Sequence, residues 1–125
     1  MRLPPVAFVI AAACLLHVYT FAFKSDGGWS SFMLGLFAFS LSPYALAAAV
    51  AWWFKPSALP LALGFAAAAL AGDLYMHYAV FIAPKGSTAA LGLLFMPVWN
   101  LMLLGPVGAL VGWGVARIVR AKAAR

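Results

Sequence analysis

The sequence predicts an all-α integral membrane protein, with four transmembrane helices in an up-down bundle. Three observations lead to this prediction. The 125 residues are 67% hydrophobic and only 8% charged, whereas a soluble domain carries roughly 25% charged residues. Four apolar runs are each long enough to cross a hydrocarbon core of about 30 Å. The connections between these runs are short, so consecutive helices are expected to be antiparallel neighbours.

The four predicted spans cover about 5–23, 29–54, 59–82 and 89–119 of a single transmembrane domain, 1–125. The first span begins at Pro5, where a missing backbone N–H costs little. Gly, Pro and Ser clusters separate the runs and predict turns. The fourth run exceeds the bilayer thickness, so we expect it to tilt, to kink at Pro97 or Pro106, or to extend beyond the membrane.

The N-terminal stretch also has the look of a secretory signal, because Arg2 precedes an apolar, alanine-rich segment. The residues after Cys14 remain apolar, and we expect this stretch to be retained as the first span.

The distribution of Lys and Arg predicts that both termini face the cytoplasm, since positive charges concentrate on that side. Two basic residues lie at one set of span ends, Lys24 and Lys85. The other set carries six, which are Arg2, Lys55, Arg117, Arg120, Lys122 and Arg125. This cationic face is expected to contact anionic lipids.

Asp73 is the most informative single residue, because it lies inside the third apolar run and a carboxylate at membrane depth is costly. His77 follows one helical turn later on the same face. His17 lies about 9 Å below the outer end of the first span and His77 about 7.5 Å below that of the third. We expect a buried polar layer in the outer half of the bundle. Its predicted members are Asp73, His77, His17, Asn100, Ser40 and Ser42.

Small residues mark the predicted helix-packing faces. The face of the third span that carries Asp73 also carries Ala62, Ala66 and Ala69. On the fourth span Gly108 and Gly112 form a GxxxG pattern, with Gly105 just before them. Such positions let two helix backbones approach closely, within the bundle or between two copies of the chain.

The function favoured by the sequence is that of a small accessory or scaffold subunit, which packs against a membrane-protein partner or against itself. The support comes from the short loops, the small-residue faces and a buried polar pair that can order the bundle without any substrate. A proton-coupled small-solute transporter or channel that uses Asp73 and His77 is the first alternative, because an embedded carboxylate beside a histidine suits a proton relay.

A haem b-binding electron-transfer subunit is the second alternative, with His17 and His77 as axial ligands at matched depth. It is weakened because the first span offers no glycine near His17, and because the first and third spans are expected to lie across the bundle from each other. A metal ion held by His17, Asp73 and His77 would need those spans in contact, and no metal site is predicted.

The sequence carries no hydrolase signature. There is no Gly-x-Ser-x-Gly or His-Glu-x-x-His pattern, and Ser87 and Thr88 have no neighbouring base. We therefore expect no enzyme activity. The formal charge of +6 lies at helix ends rather than on a basic surface with interleaved aromatic residues, so nucleic-acid binding is not expected. In size and composition the chain resembles the small four-span inner-membrane proteins of bacteria, and a multi-pass inner-membrane location is expected.

Overall fold

The structure is a computed structural model that describes residues 4–24, 30–54, 56–86 and 89–125. The described residues are helical and contain no strand. Four of their helical segments are long and apolar enough to cross a membrane, and they are Pro5–Lys24, Ser31–Trp53, Pro56–Ile82 and Ala90–Ala123. The chain is therefore an all-helical, multi-pass membrane protein. The residues Arg2, Lys55, Ser87 and Thr88, on which part of the sequence argument rests, lie outside the described residues.

The first two spans begin at residues that suit a helix N-terminus. The first span consists of α1, Pro5–Tyr19, followed by a π-helical turn, Thr20–Lys24. Its first turn contains Pro5, which needs no N–H partner there. The second span is α2, Ser31–Trp53, and the Ser30 hydroxyl caps it by accepting from the Met33 amide at 3.2 Å.

The third and fourth spans each contain a π-helical turn. A 3₁₀ turn, Pro56–Ala58, leads into α3, Leu59–His77, which continues as a π turn over Tyr78–Ile82. The fourth span comprises α4, Ala89–Trp99, a π turn over Asn100–Leu104, and α5, Gly105–Ala123.

The fourth span changes helical geometry between its two prolines. Pro97 lies inside α4 and Pro106 lies in the first turn of α5. Each proline deprives the carbonyl four residues earlier of its usual amide partner, and the Asn100–Leu104 π turn lies between them. The helix then continues to Ala123, about four residues beyond the end expected from the apolar run.

A further proline, Pro43, lies buried in α2, where it removes the amide that would donate to the Phe39 carbonyl. The Ser42 hydroxyl replaces that donor with a bond of 2.7 Å to the same carbonyl. The second span can therefore tolerate a proline at mid-membrane depth.

Helix α3 is the central element, because it contacts α1, α2, α4 and α5. Its closest approach is to α5, where the two backbones meet at glycines. A Cβ added at Gly64 would lie 2.1 Å from the Gly108 carbonyl oxygen, and one added at Gly112 would lie 2.2 Å from the Pro60 carbonyl oxygen. Only glycine permits this contact between backbones. The predicted packing residues Ala62, Ala66, Ala69, Gly105 and Gly108 are buried.

The contact between α1 and α3 corrects one expectation. The sequence predicts that the first and third spans lie across the bundle from each other. In the structure α1 and α3 are in contact, and the His17 and His77 ring centroids lie 5.9 Å apart. Small buried side chains of both helices, Ala13 on α1 and Ala66 and Ala69 on α3, belong to one core cluster and allow the helices to approach closely.

Candidate functional site

The candidate site is a hydrogen-bonded network centred on the Asp73 carboxyl group, to which three other helical segments contribute. The Asp73 side chain is 2% exposed. The Tyr44 hydroxyl of α2 donates to its Oδ2 atom. The Asn100 Nδ2 atom, at the start of the π turn in the fourth span, donates to its Oδ1 atom at 2.8 Å. Each carboxyl oxygen thus has a donor, as a carboxylate away from water requires.

Asn100 is completely buried and is oriented by the carboxyl group. With its amide nitrogen facing Asp73, its Oδ1 atom has no hydrogen-bond partner among the described residues. That oxygen faces Gly72, where an added Cβ would lie 3.1 Å from it. A hydrogen bond to a carboxyl oxygen contributes more than an ordinary amide hydrogen bond. The amide of Asn100 is therefore oriented so that its nitrogen donates to Asp73, although its own oxygen is left without a partner among the described residues.

His17 approaches the same carboxyl group from α1. Its Nε2 atom lies 3.6 Å from Asp73 Oδ2, and its ring packs edge-on against the Tyr44 ring at 5.9 Å between centroids. The His17 Nδ1 atom lies 2.9 Å from the Ala13 carbonyl oxygen. Because a carbonyl only accepts, Nδ1 must carry a proton, which leaves Nε2 as the atom that faces Asp73.

His77 forms the second half of the network. Its Nδ1 atom lies 2.6 Å from the Asp73 backbone carbonyl oxygen, so this nitrogen also carries a proton. Its Nε2 atom lies 2.6 Å from the Thr20 hydroxyl oxygen. The same hydroxyl lies 2.9 Å from the Leu16 carbonyl oxygen. Thr20 has a single hydroxyl proton, which can serve only one of these two neighbours at a time.

This count of protons gives the His77–Thr20 pair two complete hydrogen-bonding states. With neutral His77, the Thr20 hydroxyl donates to Nε2. With protonated His77, Nε2–H donates to the Thr20 oxygen and the hydroxyl proton turns to the Leu16 carbonyl. The local structure therefore accommodates either protonation state of His77 by rotation of one hydroxyl group.

A cavity of about 250 Å³ adjoins the network. Asp73, His17, His77, Thr20 and Ser40 contribute to its wall at the buried end. Its lining also includes Lys24 and Phe81, which are exposed near the ends of their spans, and the Lys24 Nζ atom lies 5.8 Å from the Phe81 ring centroid. The remaining wall is largely apolar. A cavity of this volume has room for several water molecules, and the polar side chains of its wall could serve as their hydrogen-bond partners.

The six residues of the predicted polar layer do not all meet. Asp73, Asn100 and His17 are joined directly, and His77 joins them through the Asp73 backbone. Ser40 is buried and lines the cavity. The Ser42 hydroxyl instead donates to the Phe39 carbonyl of its own helix, on the outer surface of the bundle.

Two members of the site were not among the six residues of the predicted polar layer. Tyr44 is 1% exposed and supplies a donor to Asp73. Tyrosine in membrane helices is usually found near the membrane–water interface. The position of Tyr44 near the middle of the second span was therefore the feature of the sequence that could have identified it. Thr20 follows His17 by three residues on one polar stripe of the first span, and only the neighbouring helix reveals its link to His77.

The geometry also bears on the two cofactor hypotheses. Axial haem ligation would require the Nε2 atoms of His17 and His77 to face a flat slot between them. Instead the His77 Nε2 atom bonds to Thr20 and the two rings pack edge-to-face. A cavity of about 250 Å³ is below the roughly 300–1,000 Å³ of drug-sized ligand sites. This arrangement does not fit a porphyrin. Among the described residues no group of three His, Cys, Asp or Glu side chains is placed to hold a metal ion.

The π-helical turns coincide with the network. Among the described residues they begin at Thr20, at Tyr78 directly after His77, and at Asn100. Such turns are rare in helices and occur often at functional sites, since they redirect side chains and free backbone groups. Their placement marks the network as the part of the membrane domain with specialised local geometry.

The chain matches no protein-family model, and comparisons with curated proteins and with solved structures gave no match. The class defined by the fold and the site is therefore a multi-pass helical membrane protein with a buried carboxyl–histidine network next to a cavity.

Proposed function

We propose that the protein is a proton-coupled small-solute transporter or channel, in which Asp73 and His77 exchange protons with the adjoining cavity. The observation that carries this proposal is the cavity itself, whose lining extends from exposed Lys24 past half-buried His77 to buried Asp73. A buried ionisable pair that only ordered the helices would need no such space. Intramembrane carboxyl and histidine side chains that face a water-accessible cavity are typical of proton pathways.

The paired states of His77 and Thr20 support the same proposal. A proton carrier must be stable with and without its proton, and a buried polar atom left unbonded costs about 1–3 kcal/mol. Rotation of the Thr20 hydroxyl between Leu16 and His77 avoids that cost in both states. Asp73 lies one turn from His77 and 3.6 Å from His17, so it can offset positive charge on either ring.

The proposed topology places both termini in the cytoplasm of a bacterial inner membrane, with the four spans in an up-down bundle. The orientation is supported by the six Lys and Arg residues at the proposed cytoplasmic ends of the spans, against two at the opposite ends. Lys24 is one of the two, so the cavity would open toward the side opposite the termini. Protons and solute would then enter from the outer side of the membrane.

Proton movement by the purified protein in vesicles tests the proposal. Vesicles that contain a pH-sensitive dye are placed under a potassium diffusion potential, and the internal pH is followed. We expect wild-type protein to move protons and Asp73→Asn to reduce the rate at least about tenfold, because the amide cannot cycle a proton. Tyr75→Phe is the matched control, since Tyr75 lies on the same helix and is 69% exposed. Equal rates for wild type and Asp73→Asn would reject the proposal.

Access to the cavity is tested separately, so that a poorly folded Asp73 variant does not decide the question. In a Cys14→Ser background, Ser40→Cys is treated with a membrane-impermeant thiol reagent. Because Ser40 lines the cavity, we expect modification from the Lys24 side. Leu46→Cys is the control, since Leu46 is on the same helix, 46% exposed at mid-span, and would face lipid. If Ser40→Cys resists the reagent from both sides, no aqueous path reaches the network and a transport role is excluded.

A second candidate function is that of an accessory or scaffold subunit of a membrane complex or homo-oligomer. The observation in its favour is that the carboxyl oxygens of Asp73 are already bonded within the chain, by Tyr44 and Asn100. A closed network of this kind can order helices without exchanging protons. Purification in mild detergent separates the candidates, because a subunit would co-purify with a stoichiometric partner, whereas the first proposal requires proton movement by this chain alone.

A further inference from the structure

A second concave surface lies at the opposite end of the molecule from the cavity. It is an apolar groove of about 780 Å³, with α3 as its floor and with α5 and the start of α1 as its walls. The floor includes Gly64, which has no side chain, and Ala67, which has a small one, and the α5 wall includes Val111 and Val115. Arg120 lies at one end of the groove. We call this surface the α3–α5 groove.

The position of Arg120 relates the α3–α5 groove to the membrane. The Arg117 guanidinium carbon lies 4.8 Å from the Trp113 ring centroid, and a Trp–Arg pair at the end of a span is typical of the lipid–water interface. Arg120 follows Arg117 by three residues, or about 4.5 Å along the helix, which places it at the level of the lipid headgroups. From Ala116 to Leu104 the groove wall extends about 18 Å, close to one leaflet of a hydrocarbon core about 30 Å thick.

The charges near Arg120 favour an anionic occupant. The segment 105–125 contains Arg117, Arg120, Lys122 and Arg125 and no acidic residue. This helix therefore has no acidic side chain to balance them, and a phosphate group could do so through paired N–H donors of arginine. The apolar length of the groove and the cation at its end match the two parts of a phospholipid.

We propose that the α3–α5 groove is a binding site for one anionic phospholipid, with an acyl chain along the groove and its phosphate on Arg120. This site is independent of the proposed transport function, because none of its lining residues contributes to the cavity near Asp73. The bound lipid would fill the groove between α1 and α5 and so support the glycine contact between α3 and α5.

Native mass spectrometry of protein extracted from vesicles of equal phosphatidylglycerol and phosphatidylcholine tests the site. We expect wild-type protein to retain one phosphatidylglycerol in preference to phosphatidylcholine. Arg120→Gln should lower that preference roughly fivefold, the effect of one basic residue at a membrane surface. Arg125→Gln removes the same charge from the helix end outside the groove and should leave the preference unchanged. Equal losses for the two variants would show diffuse attraction and overturn the proposal.

The acyl-chain part of the site is tested by filling the groove. Val115→Trp places a large ring in the groove at a position that is 55% exposed, and should abolish retention of the lipid. Ile118→Trp is the control, because Ile118 is 58% exposed on the same helix and does not line the groove. Retention by Val115→Trp would overturn the proposal. So would a wild-type dimer that Val115→Trp converts to monomer, since the groove would then hold a helix of a second copy.

Discussion

The hydrogen bond between Tyr44 and Asp73 gives the sharpest test of the network, through the variant Tyr44→Phe. Tyr44 is 1% exposed and Asp73 2%, so the bond between them is out of contact with bulk water. Phenylalanine preserves the ring and its contact with His17, and the change removes only the donor to Asp73 Oδ2. The carboxyl group would keep a single side-chain donor, Asn100.

The expected loss is worked out for ionised Asp73, the state in which both of its carboxyl oxygens accept hydrogen bonds. A hydrogen bond to a charged group contributes about 1.5–3 kcal/mol, whereas interhelical hydrogen bonds in membrane proteins average about 0.6 kcal/mol. Because Asp73 is a buried carboxyl group, we expect Tyr44→Phe to lower the free energy of unfolding by about 2 kcal/mol. In an Asp73→Asn background the same change should cost less than about 1 kcal/mol, since the acceptor is then neutral.

Unfolding by SDS in mixed micelles, followed by far-UV circular dichroism, provides the measurement for all four members of this double-mutant cycle. Tyr75→Phe is the control, because it removes the same hydroxyl from a tyrosine that is 69% exposed, and we expect a change below about 0.5 kcal/mol. If Tyr44→Phe is as mild as Tyr75→Phe, or costs the same with Asn at position 73, the Tyr44 hydroxyl does not stabilise a charged carboxyl group and the reasoning fails.

Three further predictions concern single features of the structure. Gly64→Val should lower the free energy of unfolding by about 1–3 kcal/mol in the same SDS titration, because the valine side chain would collide with the α5 backbone. Gly114→Val is the control and should change it little, because a Cβ at Gly114 meets open space. Thr20→Val should slow proton movement in vesicles several-fold and Thr20→Ser should not, because serine keeps the hydroxyl shared with His77; equal rates would contradict the two-state pair. Ser42→Ala should destabilise α2 by about 0.5–1.5 kcal/mol in SDS unfolding, since the bond that replaces the missing amide of a proline is lost.

The candidate site was only partly predictable from the sequence. Asp73, His77 and Asn100 stood out because polar side chains are rare at membrane depth, and the structure joins them in one network. Ser42 is also a polar residue at membrane depth, yet its hydroxyl donates to a carbonyl of its own helix beside Pro43. Tyr44 lacked the signal because tyrosine is common in membrane helices. Helical periodicity gives the face of a residue on its own helix, but not the rotation of one helix relative to the next.

The haem hypothesis illustrates the same limit. Matched depth of His17 and His77 along two spans was a correct reason to consider axial ligation, since rise per residue is fixed in a helix. The positions of His17 and His77 along their spans do not determine the distance between the two helices. Close packing of α1 on α3 brings the rings to 5.9 Å between centroids and gives the His77 Nε2 atom a partner in Thr20.

The sequence by itself determined that this chain crosses a membrane several times with helices, because hydrophobicity and run length depend only on composition along the chain. It also identified Asp73 as the costliest group to bury. Only the tertiary structure decided that Tyr44 and Asn100 satisfy this carboxyl group, that Thr20 pairs with His77, and that a cavity reaches them. These features depend on helix rotation and separation, which are set by contacts such as that of Gly64 with Gly108 rather than by any local pattern.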